Sequence, residues 1–335
     1  MDEEYINVIT DKFIRMNCYE RKNLKALQRN KTEIQDLVNF INSILSKYIS
    51  ETIDKQHVRF NADYIGNISA IQDKKLSNLI FDKYFPNPTC QSYYHYTSLN
   101  AYKSILESKK LRLYNLNKRF SHGEFTTFYE EHGMTGLKDG SFVLGIDCSE
   151  EAVMSEIFYM SFSGSGFNDG DNSLWKDFGD HGNGVRLEFK VTPHTKEFRK
   201  VFYSNDKNEN SIPLLKEIFT KILEKYNMPF NFTYSSKIGA FYIKGKYLTE
   251  NEFRFIIKRT SDDYNAAKIK HFTDNEDMGI KYIEIDFINE YCDFEILSIQ
   301  PGYNCLDDDI SEIEKIAKLT GLEMKILPKA REEYY

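Results

Sequence analysis

The chain has 335 residues, which is enough for roughly two domains and a sizeable buried core. Its 44 Lys and Arg residues against 51 Asp and Glu residues give a net charge of −7. No overall positive field therefore draws the chain onto nucleic acid or an anionic membrane. Aromatic residues make up 15% of the chain, and its 17 glycines and 7 prolines are few, which excludes a disordered protein.

The sequence contains no apolar stretch near the roughly 20 residues that a transmembrane helix needs. Its first residues, MDEEYINVIT, are acidic where a signal peptide would be basic. The five cysteines are widely spaced and form neither a CxxC pair nor a Cys/His cluster, which is typical of reduced thiols. We therefore expect a cytoplasmic protein with no membrane contact, no disulfide and no structural zinc.

Residues 1–88 are predicted to form a helical N-terminal region. Thr32 and Gln35 have the spacing of a capping box and precede a helical stripe of apolar residues. The stripe consists of Leu37, Val38, Ile41, Ile44, Leu45, Tyr48 and Ile49. It needs a covering surface, either the rest of the chain or a partner protein or second copy. Pro86 and Pro88 then end the helical pattern, and we expect a chain beginning near Ser92 to fold alone.

Residues 89–335 are predicted to form a second domain of short strands with a few helices. Ser98 is placed to cap one helix, residues 212–226 repeat as another, and a last helix is indicated by Ile310, Ile313, Ile316 and Leu319 before Gly321 ends it. The strand segments are SYYHYTS, LRLYNL, SFVLGID, IFYMSFS, GVRLEFKV, KVFYS, AFYIKGKY, EFRFIIK, KYIEIDF and FEILSIQ. Many strands with few helices between them exclude a regular βαβ fold. The predicted fold class is α+β, with a helical N-terminal region followed by a largely antiparallel domain.

Most well-known catalytic motifs are absent from the sequence, including a Walker loop, HExxH, GxSxG and a GxGxxG after a strand. The Gly-rich stretch 164–172, GSGFNDGDN, is predicted to be a turn rather than a phosphate cradle, because no helical pattern begins directly after it. His122, His132 and Glu124 have poor spacing for a metal, so we predict no metal site.

Four short motifs occur in one order along residues 92–330. They are YHYTS from Tyr94, RFSHGEF from Arg119, SLWKDF from Ser173 with GVRLEF from Gly184, and ENEFR from Glu250. This order resembles a bacterial domain family with the motifs His-Tyr-Thr-Ser, Asn-Asp-Pro-x-Glu, Leu-Trp-x-x-Tyr with Gly-Val-x-x-Glu-Phe, and Glu-Asn-Glu-Tyr-Arg.

Three positions depart from that family's pattern. Only Glu124 of the Asn-Asp-Pro-x-Glu motif is kept, because the preceding residues read FSHG. Phe178 stands where the family has the Tyr of Leu-Trp-x-x-Tyr, and LPKAREEYY replaces its Ser-x-x-x-Tyr-Arg ending. No role is therefore assigned to the last residues of the chain.

The family pattern is in turn similar to the ADP-ribosyltransferase fold, including its DNA-targeting toxin branch. The resemblance implies NAD as the substrate, with Glu252 as the catalytic residue and Glu250 assisting on the acceptor side. A carboxylate beside the ribose can orient the sugar and stabilise the oxocarbenium-like centre that forms as nicotinamide leaves. If both residues lie on one strand, their carboxylates share a face. The alternative is an exposed strand face with two solvated carboxylates.

The resemblance also implies residues that bind NAD. His95 would hold a ribose hydroxyl, since a neutral imidazole can both donate and accept, and its neighbours Tyr96 and Thr97 belong to the same motif. Trp175 would stack on a ring of NAD, or alternatively anchor the core.

Two arginines could pair with the diphosphate of NAD, namely Arg119 and Arg254. For Arg254 the alternative is an ion pair with a glutamate of a neighbouring strand. The aromatic residue of the second transferase motif stays open among Tyr114, Phe125 and Tyr129.

Two functions follow as expectations. The first is an NAD-dependent ADP-ribosyltransferase, plausible as a bacterial toxin or phage-defence effector whose N-terminal helices sense, recruit or restrain. The alternative is a non-catalytic module on the same fold that binds a nucleotide or a partner protein, which the departures at 121–123 and Phe178 favour. The acceptor is open among protein, DNA, RNA and water, because no basic run marks a nucleic-acid groove.

Overall fold

The computed structural model describes residues 31–60, 65–67, 75–88, 92–118, 124–133, 142–143, 146–147, 150–164, 172–204, 212–231, 235–243, 245–258, 270–271 and 281–331. The chain divides into two compact units. Unit 1 contains Met1–Tyr84, Phe128–Gly136 and Asn210–Ser235, and unit 2 contains Phe85–Thr127, Leu137–Glu209 and Ser236–Tyr335.

The helices and strands have the following bounds. The helices are α1 (Lys31–Leu45), α2 (Lys75–Tyr84), α3 (Leu99–Ser108), α4 (Glu124–Glu131), α5 (Glu150–Ser155), α6 (Asn172–Asp177), α7 (Pro213–Tyr226), α8 (Ser235–Ala240) and α9 (Asp307–Thr320). The strands are β1 (Val58–Phe60), β2 (Ile65–Asn67), β3 (Tyr93–Thr97), β4 (Lys110–Asn115), β5 (Phe142–Val143), β6 (Ile146–Asp147), β7 (Ile157–Gly164), β8 (Val185–Pro193), β9 (Phe198–Lys200), β10 (Phe202–Tyr203), β11 (Phe230–Asn231), β12 (Tyr242–Ile243), β13 (Glu252–Lys258), β14 (Lys270–His271), β15 (Lys281–Asp286), β16 (Cys292–Pro301) and β17 (Lys325–Ile326).

Unit 1 combines helices with a small sheet. In that sheet β1 pairs antiparallel with β2, and β11 pairs parallel with the other edge of β2. The prediction that residues 1–88 are wholly helical is therefore wrong at β1 and β2. Val58 and Phe60 are buried with an exposed residue between them, the period of two that marks a strand rather than a helix.

The predicted apolar stripe of α1 is covered within unit 1. Five of its members, Leu37, Val38, Ile41, Ile44 and Leu45, are at most 3% exposed. Helix α7 packs against α1, and the Tyr48 hydroxyl donates to Glu217 Oε2 of α7 at 2.9 Å. The stripe thus belongs to the core, and the alternative of a partner or second copy covering it is not what the structure shows.

The division of the chain into two compact units differs from the predicted boundary between residues 88 and 89. Residues 128–136 and 210–235 group with the N-terminal part of the chain rather than with the sheet that surrounds them in sequence. The reason is that α7 and β11 supply a face and a strand to unit 1.

Unit 2 is built on one large sheet with the strand order β14-β15-β4-β7-β3-β8-β16-β17. Strand β13 also pairs with β7, and β9 pairs with β13. All these pairs are antiparallel except β16 with β17, which confirms a mixed α and β fold with a mostly antiparallel sheet. Helices α3 and α9 are in contact, and the Tyr102 hydroxyl of α3 donates to Ile313 O of α9 at 2.9 Å.

Some predicted elements of unit 2 differ in detail. SFVLGID forms two short paired strands, β5 and β6, and AFYIKGKY keeps only β12 before a 3₁₀ turn, Gly245–Glu250. Helix α6 begins at Asn172, the last residue of the Gly-rich stretch, so the prediction that no helix follows the stretch is wrong. Residues 165–171 of that stretch lie outside the described part of the chain. Helix α9 ends at Gly321 as predicted, with φ +64°.

Candidate functional site

A cleft opens in the sheet of unit 2 where two strands leave the same edge of β7. One edge of β7 is paired with β13 along nearly its whole length. On the other edge, β3 pairs only at Ser163 and Gly164, and β4 pairs only at Phe158 and Tyr159. Residues 160–162 therefore lie between two diverging strands, and their backbone faces the space that these strands leave.

Two neighbouring cavities occupy this region of unit 2. The larger has a volume of about 450 Å³, which is within the usual range for small-molecule sites, and the smaller has about 40 Å³. His95, Tyr96, Ser161 and Phe178 line both. The larger cavity also carries the charged side chains Lys110, Arg112, Lys176, Asp177 and Asp180, and the smaller carries Glu250 and Glu252.

The corner between β3 and α3 forms one wall of the larger cavity. Ser98 caps α3 as predicted, and its hydroxyl accepts the Ala101 N–H at 3.3 Å. Gly184, just before β8, approaches this corner so closely that a Cβ atom there would lie 2.1 Å from Thr97 O. Only glycine fits at this position, and the corner that presents Thr97 and Ser98 to the cavity is thereby fixed.

His95 lies on β3 and reaches the edge of β7 through its ring. The His95 Nδ1 atom lies 2.9 Å from Ser161 O. A carbonyl oxygen can only accept a hydrogen bond, so Nδ1 must carry the proton. In the neutral ring, Nε2 is then the nitrogen that accepts, which is the state that a ribose hydroxyl would require as a donor.

Glu252 opens β13 and is held by two side chains. Arg254 donates to both carboxylate oxygens, from Nε to Oε1 at 2.8 Å and from Nη2 to Oε2 at 3.0 Å, and the Ser161 hydroxyl also donates to Oε1. Glu252 and Arg254 are each 5% exposed. Burial alone would lower the pKa of Arg254, but the charge and hydrogen bonds of Glu252 raise it above its ordinary value. The two residues form a buried ion pair held in one orientation.

Glu250 does not lie on the strand that the sequence predicted for it. It ends the 3₁₀ turn, and Asn251 has φ +44°, so β13 begins only at Glu252. The prediction that Glu250 and Glu252 share a face of one strand is therefore wrong. Both carboxylates still line the smaller cavity, because the left-handed Asn251 turns the chain back toward β7, where Ser163 Oγ donates to Glu250 O at 3.0 Å.

Two of the residues predicted to bind NAD instead make their main contacts with other residues of the chain. The Arg254 guanidinium is engaged by Glu252 and also donates from Nη1 to Ala240 O, so the diphosphate role is not supported for it. Trp175 is 1% exposed, and its ring packs edge-on against Tyr96 at 5.0 Å between centroids. It anchors α6 beside β3, while its neighbours Leu174, Lys176 and Phe178 reach the cavities.

The remaining candidates fall in three places. Tyr114 lines the larger cavity together with His95. Tyr129 belongs to unit 1, where it is buried and donates to Ser235 Oγ at 3.4 Å. Arg119 and the side chain of Phe125 lie outside the described residues.

Ser161 and Ser163 were not found by the sequence reasoning. Both stand at alternate positions of the apolar strand segment IFYMSFS. A polar residue at every second position of such a strand is the signal that could have found them, because it places both hydroxyls on one face. Ser161 is the residue through which β7 contacts both His95 and Glu252.

The larger cavity also has a charged wall on β4. Lys110, Arg112 and Tyr114 alternate with the fully buried Leu111 and Leu113, so they share the face that lines the cavity. Opposite them on β15 stand the acidic partners, with Arg112 Nε 3.1 Å from a Glu284 carboxylate oxygen and Lys110 Nζ 3.9 Å from one of Asp286. The cations of this wall are thus already partly neutralised.

Within the described residues, no group of three or more His, Cys, Asp or Glu side chains is arranged to hold a metal ion. Among the helices that the structure describes, none combines the length and the apolar character that crossing a membrane requires. Cys292 and Cys305 are free, buried thiols, and burial raises the pKa of Cys292 to about 12.

Comparison of the chain with protein-family models, with curated proteins and with solved structures found no match. The function of the cleft is therefore inferred from its own geometry and from the motif order of the sequence.

Proposed function

We propose that the cleft of unit 2 binds NAD and that the protein is an ADP-ribosyltransferase, a bacterial toxin or phage-defence effector that acts in the cytoplasm. One observation carries the proposal. His95, Ser161 and Glu252 come from three different strands and meet at the cleft where β3 and β4 diverge along β7. The sequence separates these residues widely, and two of them were expected to share one site.

The held carboxylate of Glu252 fits the chemistry of this reaction. A carboxylate offers about four acceptor positions, and Arg254 and Ser161 use three of them, which leaves about one for a ribose hydroxyl. A negative charge fixed before the substrate arrives stabilises an oxocarbenium-like centre without reorganising. Arg254 is accordingly a positioning residue that keeps this charge in place.

The transfer breaks one bond and forms one bond. The bond between the ribose C1′ atom and nicotinamide breaks, and nicotinamide leaves with the bonding electron pair. The acceptor nucleophile then bonds to C1′ and gives up a proton, and Glu250, which lines the smaller cavity, serves as the base that takes it. The larger cavity, with Lys110, Arg112 and Lys176 on its walls, has room for the nucleotide part.

A second function is favoured by one specific observation. Both oxygens of Glu252 are already bound by Arg254, which is also what a purely structural ion pair looks like. A non-catalytic module would keep the cleft and bind a nucleotide or a partner protein without breaking NAD.

The purified full chain incubated with NAD is expected to release nicotinamide, measured by chromatography. His95→Ala and Glu252→Gln should each lower the rate on the order of 100-fold, which is typical of losing one preorganised electrostatic contact. Glu295→Gln serves as the matched control, because Glu295 is an exposed carboxylate of the same sheet. Glu250→Gln should lower transfer to an acceptor more than release of nicotinamide.

Glu252→Gln also removes the charge that balances a buried Arg254, so its folding must be checked by circular dichroism. His95→Ala keeps the test independent of that pair. Unchanged nicotinamide release in folded His95→Ala would overturn the assignment of the cleft. Binding of NAD without release in the unaltered protein would favour the non-catalytic module, and the absence of both would exclude an NAD site in this cleft.

A further inference from the structure

Unit 1 contains a cavity of about 580 Å³ that has no part in the proposed NAD site. Its aromatic walls are Phe40 of α1, Phe60 of β1 and Tyr226 of α7, and its remaining lining residues are Glu33, Asp36, Asn39 and Lys225. The volume is within the usual range for small-molecule sites. All of these residues lie in unit 1.

The three rings form a connected aromatic surface. Tyr226 packs edge-on against Phe40, with centroids 5.9 Å apart, and against Phe60, with centroids 5.7 Å apart. The face of an aromatic ring is electron-rich and attracts cations. Lys225 shows this attraction within the chain itself, since its ammonium lies 4.1 Å from the centroid of Phe40 and 5.3 Å from that of Tyr226.

The polar groups of the cavity match a cationic ligand as well. Glu33 and Asp36 are exposed and three residues apart on α1, so their carboxylates lie on one face of the helix at the cavity. The Tyr226 hydroxyl is buried and has no hydrogen-bond partner within the described part of the chain. Burial raises the pKa of Tyr226 and the charge of Asp36 raises it further, so the hydroxyl keeps its proton.

We propose that this cavity binds an organic cation, an alkylammonium or guanidinium group, over the rings of Phe40 and Tyr226. The N–H groups of the ligand donate to the carboxylates of Glu33 and Asp36. Lys225 occupies the ring faces in the absence of a ligand and competes with it, since an exposed lysine can leave for water at little cost. The proposal does not depend on the function of the cleft in unit 2.

The charge requirement is tested by calorimetric titration of the full chain with arginine amide. Citrulline amide is the matched probe, because it has nearly the same shape but no charge. We expect arginine amide to bind at least about tenfold more tightly, as a desolvated cation over aromatic rings would. A short acetylated and amidated peptide with one arginine distinguishes the source: tighter binding of the peptide indicates a protein ligand, and tighter binding of arginine amide indicates a free small molecule.

Three variants separate this proposal from its opposite, an anion held by Lys225. Lys225→Gln should bind arginine amide about three- to tenfold more tightly, because the competing ammonium is gone. Asp36→Asn should bind it more weakly, and Lys216→Gln, an exposed lysine of the same helix outside the cavity, should bind it as the unaltered chain does. Weaker binding by Lys225→Gln, or equal binding of the two amides, would overturn the proposal.

Discussion

At the scale of single residues, Glu252 and Arg254 form one unit although the sequence suggested two separate ligands of NAD. Their spacing of two on a strand places both side chains on one face, where a bidentate pair closes. Burial makes the pair costly to separate, since either partner alone would be an uncompensated buried charge. An arginine so near a glutamate of the same strand is therefore as strong a sign of a positioning residue as of a phosphate ligand.

His132 of unit 1 is a second buried group whose state is set by its neighbours. Its Nδ1 atom donates to Phe128 O at 2.6 Å, and its Nε2 atom accepts the Ile212 N–H at 2.7 Å, just before α7. Only the neutral ring can make both hydrogen bonds. Burial lowers the pKa of His132 to about 4, the Phe128 carbonyl opposes this change, and Lys216 adds to it.

The protein should lose stability as the pH falls from 6.5 toward 4 because of His132. The pKa of His132 is near its ordinary value of 6.5 in the unfolded chain and about 4 in the folded chain. The contribution of the neutral ring to the free energy of unfolding is therefore complete above pH 6.5 and is lost progressively as the pH falls from 6.5 toward 4. Urea unfolding should show a loss of about 2 kcal/mol between pH 7.5 and pH 5 that His132→Gln lacks. His181→Gln, which changes an exposed histidine, should keep the loss. Equal pH dependence in His132→Gln and the unaltered chain would contradict this.

At the scale of elements, α9 shows that a repeat of three residues predicts a helix but not which of its positions are buried. The sequence predicts this helix from apolar residues at positions 310, 313, 316 and 319. A step of three residues turns a helix by about 300°, so each step falls about 60° short of a full turn, and three steps reach the opposite side. Ile313 is 0% exposed and Leu319 is 77% exposed, as this drift requires. Adding the position four residues away corrects the pattern, and Ala317 is indeed buried.

Two substitutions on α9 should differ sharply for this reason. Ile313→Ala is expected to cost about 2–5 kcal/mol of unfolding free energy, because it opens a cavity between α9 and the core. Leu319→Ala should stay within about 0.5 kcal/mol, because that side chain is in water. Both positions lie on one helix, and urea unfolding of the two variants is the measurement. Equal losses would contradict the exposed position of Leu319.

The strands of the cleft illustrate what could be predicted and what could not. SYYHYTS, IFYMSFS and EFRFIIK are each evident as strands, and the structure places His95 and Glu252, which the ordered motifs singled out, at one cleft. The pairing of β7 with both β3 and β4 on one edge depends on contacts distant in sequence, which local periodicity does not contain. Ser161, whose importance comes only from that pairing, was missed for the same reason.

At the scale of the whole molecule, unit 1 is assembled from distant parts of the sequence. Helix α7 buries Leu214, Leu215, Ile218, Phe219 and Ile222 in this unit, where α1 packs against it. In the parallel pair of β11 with β2, Phe230 lies opposite Ile65. The sequence predicts one domain boundary at the prolines at 86 and 88, because proline marks the end of a helix. Proline carries no information about which later segments of the chain pack with the residues before it.

A chain that begins at Ser92 should therefore fail to fold as an independent domain. It keeps α7 but lacks α1, β1 and β2, and each large apolar side chain left uncovered forfeits roughly 1.5–3 kcal/mol. We expect the 92–335 fragment to aggregate or to elute with an expanded radius in gel filtration, without a cooperative thermal transition by circular dichroism. Supplying residues 1–91 as a separate chain should restore a soluble complex, because the missing face is then provided in trans. A monomeric fragment that unfolds cooperatively would show that the two units are separable at the prolines and that the face of α7 does not need α1.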